Sequence, residues 1–250
     1  MIPVLLSIGP LHLYSYGVCI ALGVLLSVFL MTRRAVREGF PAPDDVLDIS
    51  FWTLVWGFAG ARFSYIGQNF SYYLAYPLKI VAVWEGGLIV YGGLLAGLLG
   101  FYLTARKKKI PFWKMLDFIV PYTALSQAFG RIGCFLNGCC FGKECGFPWA
   151  VRFPDMAYAV HPAQLYEAAF DLFLFVFLLS KRKSARFEGQ IALLYFAFYG
   201  FGRYMIEFFR EPNLVWLGLS SGQWTSILAV TAAFGFFMFR QHQTRRKKGR

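Results

Sequence analysis

A chain of 250 residues with 58% hydrophobic and only 15% charged residues has too little polar material to clothe a water-soluble globule of its size, so a membrane is the expected solvent. The formal net charge of +12 raises nucleic acid as a partner, but the 25 Lys and Arg residues stand in blocks at the ends of apolar runs and do not gather with exposed aromatics. No nucleic acid binding is expected.

The first apolar run has no basic segment and no small-residue cleavage site before it, so Leu13 to Met31 reads as a retained helix. Further runs near residues 48–67, 87–105, 116–135, 163–180, 189–207 and 222–239 are also long enough to cross about 30 Å of hydrocarbon at about 1.5 Å per residue. The expected fold is all-α: one transmembrane domain over residues 1–250, with about seven membrane-spanning helices and a small extracytoplasmic head segment. Four basic blocks hold 18 of the Lys and Arg residues: Arg33, Arg34 and Arg37; Arg106 to Lys109 with Lys114; Lys181, Arg182, Lys183 and Arg186; and Arg240 with the tail Arg245 to Arg250. The positive-inside rule assigns these blocks to the cytoplasm, and seven crossings then put the amino terminus outside and the carboxyl terminus inside. The outer segments fall near 68–86 and 136–162. The first carries Tyr72, Tyr73, Tyr76 and Trp84, which suit an interfacial belt or a lid, and the second is rich in Gly, Pro and Cys.

Arg62, Arg131, Arg203, Glu167, Asp171 and Glu207 fall within or at the edge of these spans, where an ionised side chain costs at least ~2.5 to 3.5 kcal/mol. Pairing or snorkelling to headgroups is sufficient reason for Asp171. Arg131 stands among small residues in Gly130-Arg131-Ile132-Gly133, at the outer end of the fourth span. Arg203 stands at the outer end of the sixth, and helical spacing would put Arg203, Glu207 and Arg210 on one face, with Glu207 neutralising both arginines. Guanidinium forks at headgroup depth match phosphate oxygens, so these residues point to an outer-leaflet phospholipid site.

Cys134, Cys139, Cys140 and Cys145 fall in the outer segment with the spacing C-x4-C-C-x4-C, which lacks the paired C-x2-C knuckles of a zinc ribbon. Disulfides bracing the loop are the first expectation; reduced packing cysteines, a metal, and a covalent intermediate on Cys139 remain as alternatives. Cys19 reads as a small buried residue. No metal and no cofactor is assigned.

Taken in order, these motifs resemble those of the phosphatidylglycerol:prolipoprotein diacylglyceryl transferase family over nearly the whole chain. Leu13-Tyr14-Ser15-Tyr16-Gly17 resembles the first-helix motif, Gly60-Ala61-Arg62 the second, and Trp84-Glu85-Gly86-Gly87-Leu88-Ile89-Val90-Tyr91-Gly92-Gly93-Leu94 the segment leading into the third. Gly130 to Gly138 resembles the family's hallmark Gly-Arg-Ile-Gly-Asn-Phe-Ile-Asn-Gly-Glu stretch. His161-Pro162-Ala163-Gln164-Leu165-Tyr166-Glu167, Gly202 to Pro212 and Ser221-Gly222-Gln223 complete the order. The sequence departs from the family at three positions: Tyr91 replaces a histidine, Cys134 an asparagine and Cys139 a glutamate.

The resemblance implies a bacterial cytoplasmic (inner) membrane enzyme that transfers diacylglyceryl from phosphatidylglycerol to the thiol of a prolipoprotein lipobox cysteine, forming a thioether and releasing glycerol phosphate. It implies that Arg131 and Arg203 carry the electrostatics; the residues themselves suggest Tyr91 as a hydrogen-bond donor or orienting group, and His161 or Glu207, titratable groups near the outer ends of helices, as the group that takes the thiol proton. Tyr16, Arg62, Asn137, Gly138, His161, Gln164, Tyr166, Glu167 and Arg210 are the expected substrate-binding residues. Phosphatidylglycerol, the prolipoprotein signal peptide and membrane lipids are the expected partners. Two alternatives remain: a noncatalytic phospholipid-binding or transport protein, and a related transferase with another lipid donor or thiol acceptor.

Overall fold

A computed structural model of the chain describes residues 3–8, 11–82, 86–154, 156–211 and 215–248, without the side chains of 7, 8, 11, 12 and 244–248. Trp84, Glu85, Pro212 and the basic side chains of the tail from Arg245 onward, all used in the sequence reading, lie outside the described residues.

Among the described residues seven helices of 18 or more residues coincide with the seven apolar runs: α1 (Ser15–Glu38), α2 (Pro43–Gln68), α4 (Val90–Lys107), α5 (Phe112–Asn137), α6 (Ala163–Lys181), α7 (Gln190–Glu207) and α8 (Ser221–Lys248). A short α3 (Phe70–Ala75) and a 3-10 turn at Pro77–Ile80 occupy the first outer segment. Three helical stretches, Ser15–Glu38, Ala163–Ser184 and Ser221–Gln243, are long and apolar enough to cross a membrane on their own composition. The other four long helices carry glycine, proline and charged residues that packing and the candidate site use.

The chain is mostly helical, as expected, and two short antiparallel hairpins accompany the helices. β1 (Val4–Ile8) pairs with β2 (Leu11–Tyr14), and β3 (Val215–Trp216) pairs with β4 (Leu219–Ser220). Sequence supplies the reason in each case: Gly9-Pro10 interrupts the first apolar stretch, and Gly218, at φ +77°, closes the second turn in a backbone region that favours glycine.

Two compact units can be described, residues 1–30 with 116–250, and residues 31–115. In the second unit α2 lies against α4 along a face of small residues. An added Cβ at Gly93 would meet the Gly57 carbonyl at 3.0 Å, and one at Gly60 would collide with Ala96. Close backbone approach of this kind is how helices associate in lipid, where no hydrophobic force drives them together. Lys108, just after α4, pairs with Asp45 at 3.0 Å and with Asp48, both in the first turns of α2.

In the first unit α1 packs on α5 by the same device. Gly23 faces Phe129, and Ser126 donates to the Gly23 carbonyl and to Ser27 Oγ, 2.8 Å away. The core of this unit gathers Val120 and Ala124 of α5, Leu174 and Leu178 of α6, and Ile191, Ala192 and Tyr195 of α7. Asp117 accepts from the backbone N–H groups of Gly189 (2.7 Å) and Ala192 (2.8 Å), which fixes the start of α7. Those two bonds satisfy helix-end donors and place a carboxylate where the helix dipole favours it. The outcome is that the far ends of α5 and α7 and the near ends of α6 and α8 converge.

Candidate functional site

Glu167 is the hub of that convergence. It sits one turn into α6 with 4% of its side chain exposed, and a carboxylate so buried requires paired charge. Arg131 of α5 reaches its Oε2 at 2.6 Å. Arg203 of α7 and Arg210 reach its Oε1 at 3.3 and 2.8 Å. One carboxylate therefore gathers three guanidinium groups, and Arg131 and Arg203 each keep more than a fifth of their side-chain surface exposed. Asp171, one helical turn further along α6 and also buried, lies near Arg131.

A second carboxylate steadies Arg203 from the other side. Glu207 Oε2 lies 2.8 Å from Arg203 Nη2, at the i, i+4 spacing of α7. Its Oε1 accepts from Ser220 Oγ at 2.8 Å. Ser220 and Gln223 form a reciprocal cap at the start of α8: Gln223 N–H donates to Ser220 Oγ (3.1 Å) and Ser220 N–H to Gln223 Oε1 (2.9 Å). A side chain at Gly222 would put its Cβ 2.6 Å from Glu207 Oε1, so glycine is what lets the carboxylate rest on the first turn of α8, where the helix dipole favours an anion.

The expectation that Glu207 neutralises both Arg203 and Arg210 on one helical face is corrected here. α7 ends at Glu207, and Arg210 follows in a turn whose N–H bonds the Glu207 carbonyl, so Arg210 swings to Glu167 of α6. The cause is legible in the sequence, since Pro212 disfavours helical backbone in the residue before it.

Beside this cluster the end of α5 folds back on itself. Gly138 (φ +75°) and Cys140 (φ +65°) reverse the chain, and Cys139 N–H bonds the Cys134 carbonyl at 3.1 Å. Cys134, Cys139 and Cys140 thereby bring their sulfurs within 4.8 Å of one another, with Cys134 buried and Cys140 exposed. All five cysteines are free thiols, and Cys145 lies outside the cluster. Fully buried Gln164 of α6 pins the turn by donating to the Cys139 carbonyl at 2.6 Å, and the Asn137 side chain hydrogen-bonds the Cys139 sulfur. The Cys134 thiol, hydrogen-bonded to Cys140, holds the Cys140 thiol below the ordinary thiol range, with Cys139, Arg210 and Arg131 adding to the effect. Tyr16 of α1, half exposed, lies in the field of the same three cysteines and of Arg131.

His161 and Tyr166 form a third group. Tyr166 Oη is 3.1 Å from His161 Nδ1 and accepts from Trp149 Nε1 at 2.8 Å, while Phe147 and Phe209 pack against the imidazole. Trp149, Phe147, Ser220 and Tyr199, which adjoins Arg131, were absent from the sequence reading. Only Ser220 carried a usable signal, the Ser-x-x-Gln capping pattern.

Arg62 and Tyr91 belong to the other compact unit. Arg62 is buried and donates to the carbonyls of Lys79, Ile80, Ala82, Gly86 and Gly87 at 2.6 to 3.3 Å, with its guanidinium over the Tyr73 ring. Tyr91 lies in the first turn of α4 and is 71% exposed.

Comparison with known proteins finds relatives over nearly the whole chain. The family model described as prolipoprotein diacylglyceryl transferase matches residues 3–239. A phosphatidylglycerol–prolipoprotein diacylglyceryl transferase of Clostridium tetani (strain Massachusetts / E88) is 36% identical over 245 residues, covering 96% of this chain and 97% of that one. The enzymes of the same name from Bordetella parapertussis (strain 12822 / ATCC BAA-587 / NCTC 13253) and Geobacter sulfurreducens (strain ATCC 51573 / DSM 12127 / PCA) are 37% and 39% identical, covering 95% and 88% of this chain and 94% and 86% of theirs.

Proposed function

The chain belongs to the prolipoprotein diacylglyceryl transferase family, and from that premise we propose that it moves diacylglyceryl from phosphatidylglycerol to a lipobox cysteine thiol, releasing glycerol phosphate. The observation that carries the reading is the gathering of Arg131, Arg203 and Arg210 on one buried carboxylate, with exposed guanidinium surface left over on the first two.

The reaction breaks the bond between a glyceryl carbon and a phosphate oxygen. Charge then builds on the departing phosphate, so cations fixed at that place favour the transition state over the ground state. Arg131 and Arg203 are assigned to grip the phosphate. Glu167 and Glu207 hold the two forks in place before the lipid arrives, which lowers the reorganisation needed during the reaction. Glu207 suits this anchoring, because both of its carboxylate oxygens are engaged, one by Arg203 and one by Ser220 at the start of α8. Gln164, Asn137 and Gly138 shape the turn beside the phosphate site, and Tyr16 and the His161–Tyr166 pair are assigned to the peptide. Tyr91 is assigned as a hydrogen-bond donor or orienting group. For Arg62 the five carbonyl contacts support a role in shaping residues 79–87 ahead of direct substrate binding.

We place the chain in the bacterial inner membrane with all seven long helices crossing it. The four basic blocks face the cytoplasm in this topology, and the segments near 68–86 and 136–162 face outward. The deciding experiment is a purified-protein assay for glycerol phosphate release from phosphatidylglycerol. Release that requires a peptide with a lipobox cysteine, and fails with its serine counterpart, supports the reading; binding of the lipid without release in either case overturns it.

A further inference from the structure

We propose that Cys134, Cys139 and Cys140 form a three-thiolate site for a thiophilic divalent cation, Zn2+ by class, whose open fourth position takes the thiol of the acceptor peptide. The inference rests on the transferase reading for the identity of the fourth ligand, and on geometry alone for the metal site.

Three sulfurs within 4.8 Å of one another approach what a tetrahedral zinc ion needs, since bonds of about 2.3 Å put neighbouring sulfurs about 3.8 Å apart. Cys140 is exposed, so its side chain is free to close the remaining gap. The backbone holds the three residues in register: Cys139 is bonded through its N–H to Cys134, and through its carbonyl to buried Gln164. Outer contacts of this kind orient metal ligands. The other oxygen-bearing end of Gln164 matters too, because its Oε1 is buried without a hydrogen-bond partner among the described residues, beside the site. Charge also fits. Three thiolates and one divalent ion leave a net single negative charge, next to a cluster of three arginines and two glutamates that carries a net single positive one.

Zinc sites with three protein ligands and a vacancy are the catalytic type, and a coordinated thiol loses its proton outright at neutral pH. The chemistry balances without an oxidant. The peptide thiol binds the cation and releases its proton to water. Its sulfur lone pair attacks the glyceryl carbon, the carbon–oxygen bond breaks with its electrons passing to the phosphate oxygen, and that oxygen takes up a proton. Peptide thiol and phosphatidylglycerol become thioether and glycerol phosphate. The site thus offers an activated nucleophile in a chain whose Tyr91, Cys134 and Cys139 stand where the resemblance leads one to expect a histidine, an asparagine and a glutamate.

The test uses the full chain in detergent, reduced, stripped with a chelator and titrated with Co2+ as a spectroscopic probe. The expected result is one Co2+ per chain with a sulfur-to-cobalt charge-transfer band that Zn2+ abolishes. Cys134→Ser, Cys139→Ser and Cys140→Ser should each weaken binding by more than the roughly 10- to 100-fold typical of losing an outer-shell partner, while Cys145→Ser binds as the parent does. A lipobox cysteine peptide should raise the band by about one third, three thiolates becoming four, and its serine counterpart should leave it unchanged. Absence of the band in the parent, its survival in the triple serine variant, or indifference to the cysteine peptide overturns the proposal. So does a mass for the unreduced protein that reveals a disulfide within the trio. A chain that binds Co2+ in this way but never releases glycerol phosphate would sink the transferase reading and leave the metal site standing; full release by the stripped chain would sink the catalytic use of the metal and leave the transferase reading standing.

Discussion

Arginine is buried in both compact units, and the two settings handle it in opposite ways. Arg62 directs its guanidinium to five backbone carbonyls of residues 79–87, all of them permanent parts of the chain. Arg131, Arg203 and Arg210 are held by two carboxylates and keep part of their surface accessible. Carbonyl dipoles leave the Arg62 charge uncancelled and its donors fully engaged, which makes a clamp. Carboxylates cancel most of the charge of the trio and leave donors unfilled, which makes a receptor for one more anion. An arginine in an apolar span therefore reports a cost that something must offset, and the nature of its partners tells whether that something is the fold or a ligand.

The sharpest way to break the comparison is to remove one arginine from each setting. Arg131→Ala and Arg203→Ala should each lower transfer by at least the ~10²- to 10³-fold seen on losing one transition-state donor; the melting temperature should stay close to that of the parent for Arg131→Ala, where Glu167 keeps two arginines, and fall for Arg203→Ala, which leaves buried Glu207 without its cation. Full turnover by either purified variant would take the phosphate grip away from this cluster. Arg62→Ala should do the reverse. It removes the partner of five carbonyls, four part-buried and that of Ala82 buried, a buried one being worth about 1 to 3 kcal/mol when left unsatisfied, so the expected readout is a lower melting temperature and proteolysis near residues 79–82. If the folded fraction of that variant loses activity as completely as Arg131→Ala does, Arg62 is a ligand-binding residue after all.

Glu167→Gln separates the two ideas more finely. Removing the hub's charge frees three guanidinium groups while keeping a similar shape, so glycerol phosphate should inhibit more strongly even as turnover falls. Both effects should be on the order of 10-fold, the scale of one charge-assisted hydrogen bond. Turnover and product inhibition measured on the same preparation decide it: weaker inhibition would mean that Glu167 shapes the pocket and does not tune its charge.

How much of this was legible beforehand depends on the range of the interaction. The seven helices follow from apolar runs, with ends shifted by a few residues at α4, expected near 87–105 and found at Val90–Lys107, while α1 and α8 run on into their basic blocks to Glu38 and Lys248. Arg131 and Arg203 announced themselves because each breaks an apolar run, which is a local signal. Glu167 as the shared hub was not legible: its place in a motif marked it as important, but nothing along the chain says that α5, α6 and α7 point their ends at one carboxylate. The cysteine trio failed for a related reason. Read as spacing, C-x4-C-C suggests no metal knuckle; the backbone reversal at Gly138 and Cys140 is what brings Cys134 and Cys139 together. Hairpin β3–β4 was missed because strands of two residues have no periodicity to read.

The smallest expected effect concerns His161, which the sequence offers as a proton acceptor. Trp149 can only donate, so it occupies a lone pair of Tyr166 Oη, and the phenol proton is then available to His161 Nδ1. Phe147 and Phe209 pack against the ring and fix its orientation. His161 is thus built to hold Tyr166 in place. His161→Gln should cost about 1 kcal/mol of stability, in line with one hydrogen bond, and raise KM for the peptide while leaving the pH dependence of kcat where it was. Loss of a limb from that pH profile would return His161 to the role of base, and the carboxylate-held arginines would then share the chemistry with a titrating neighbour.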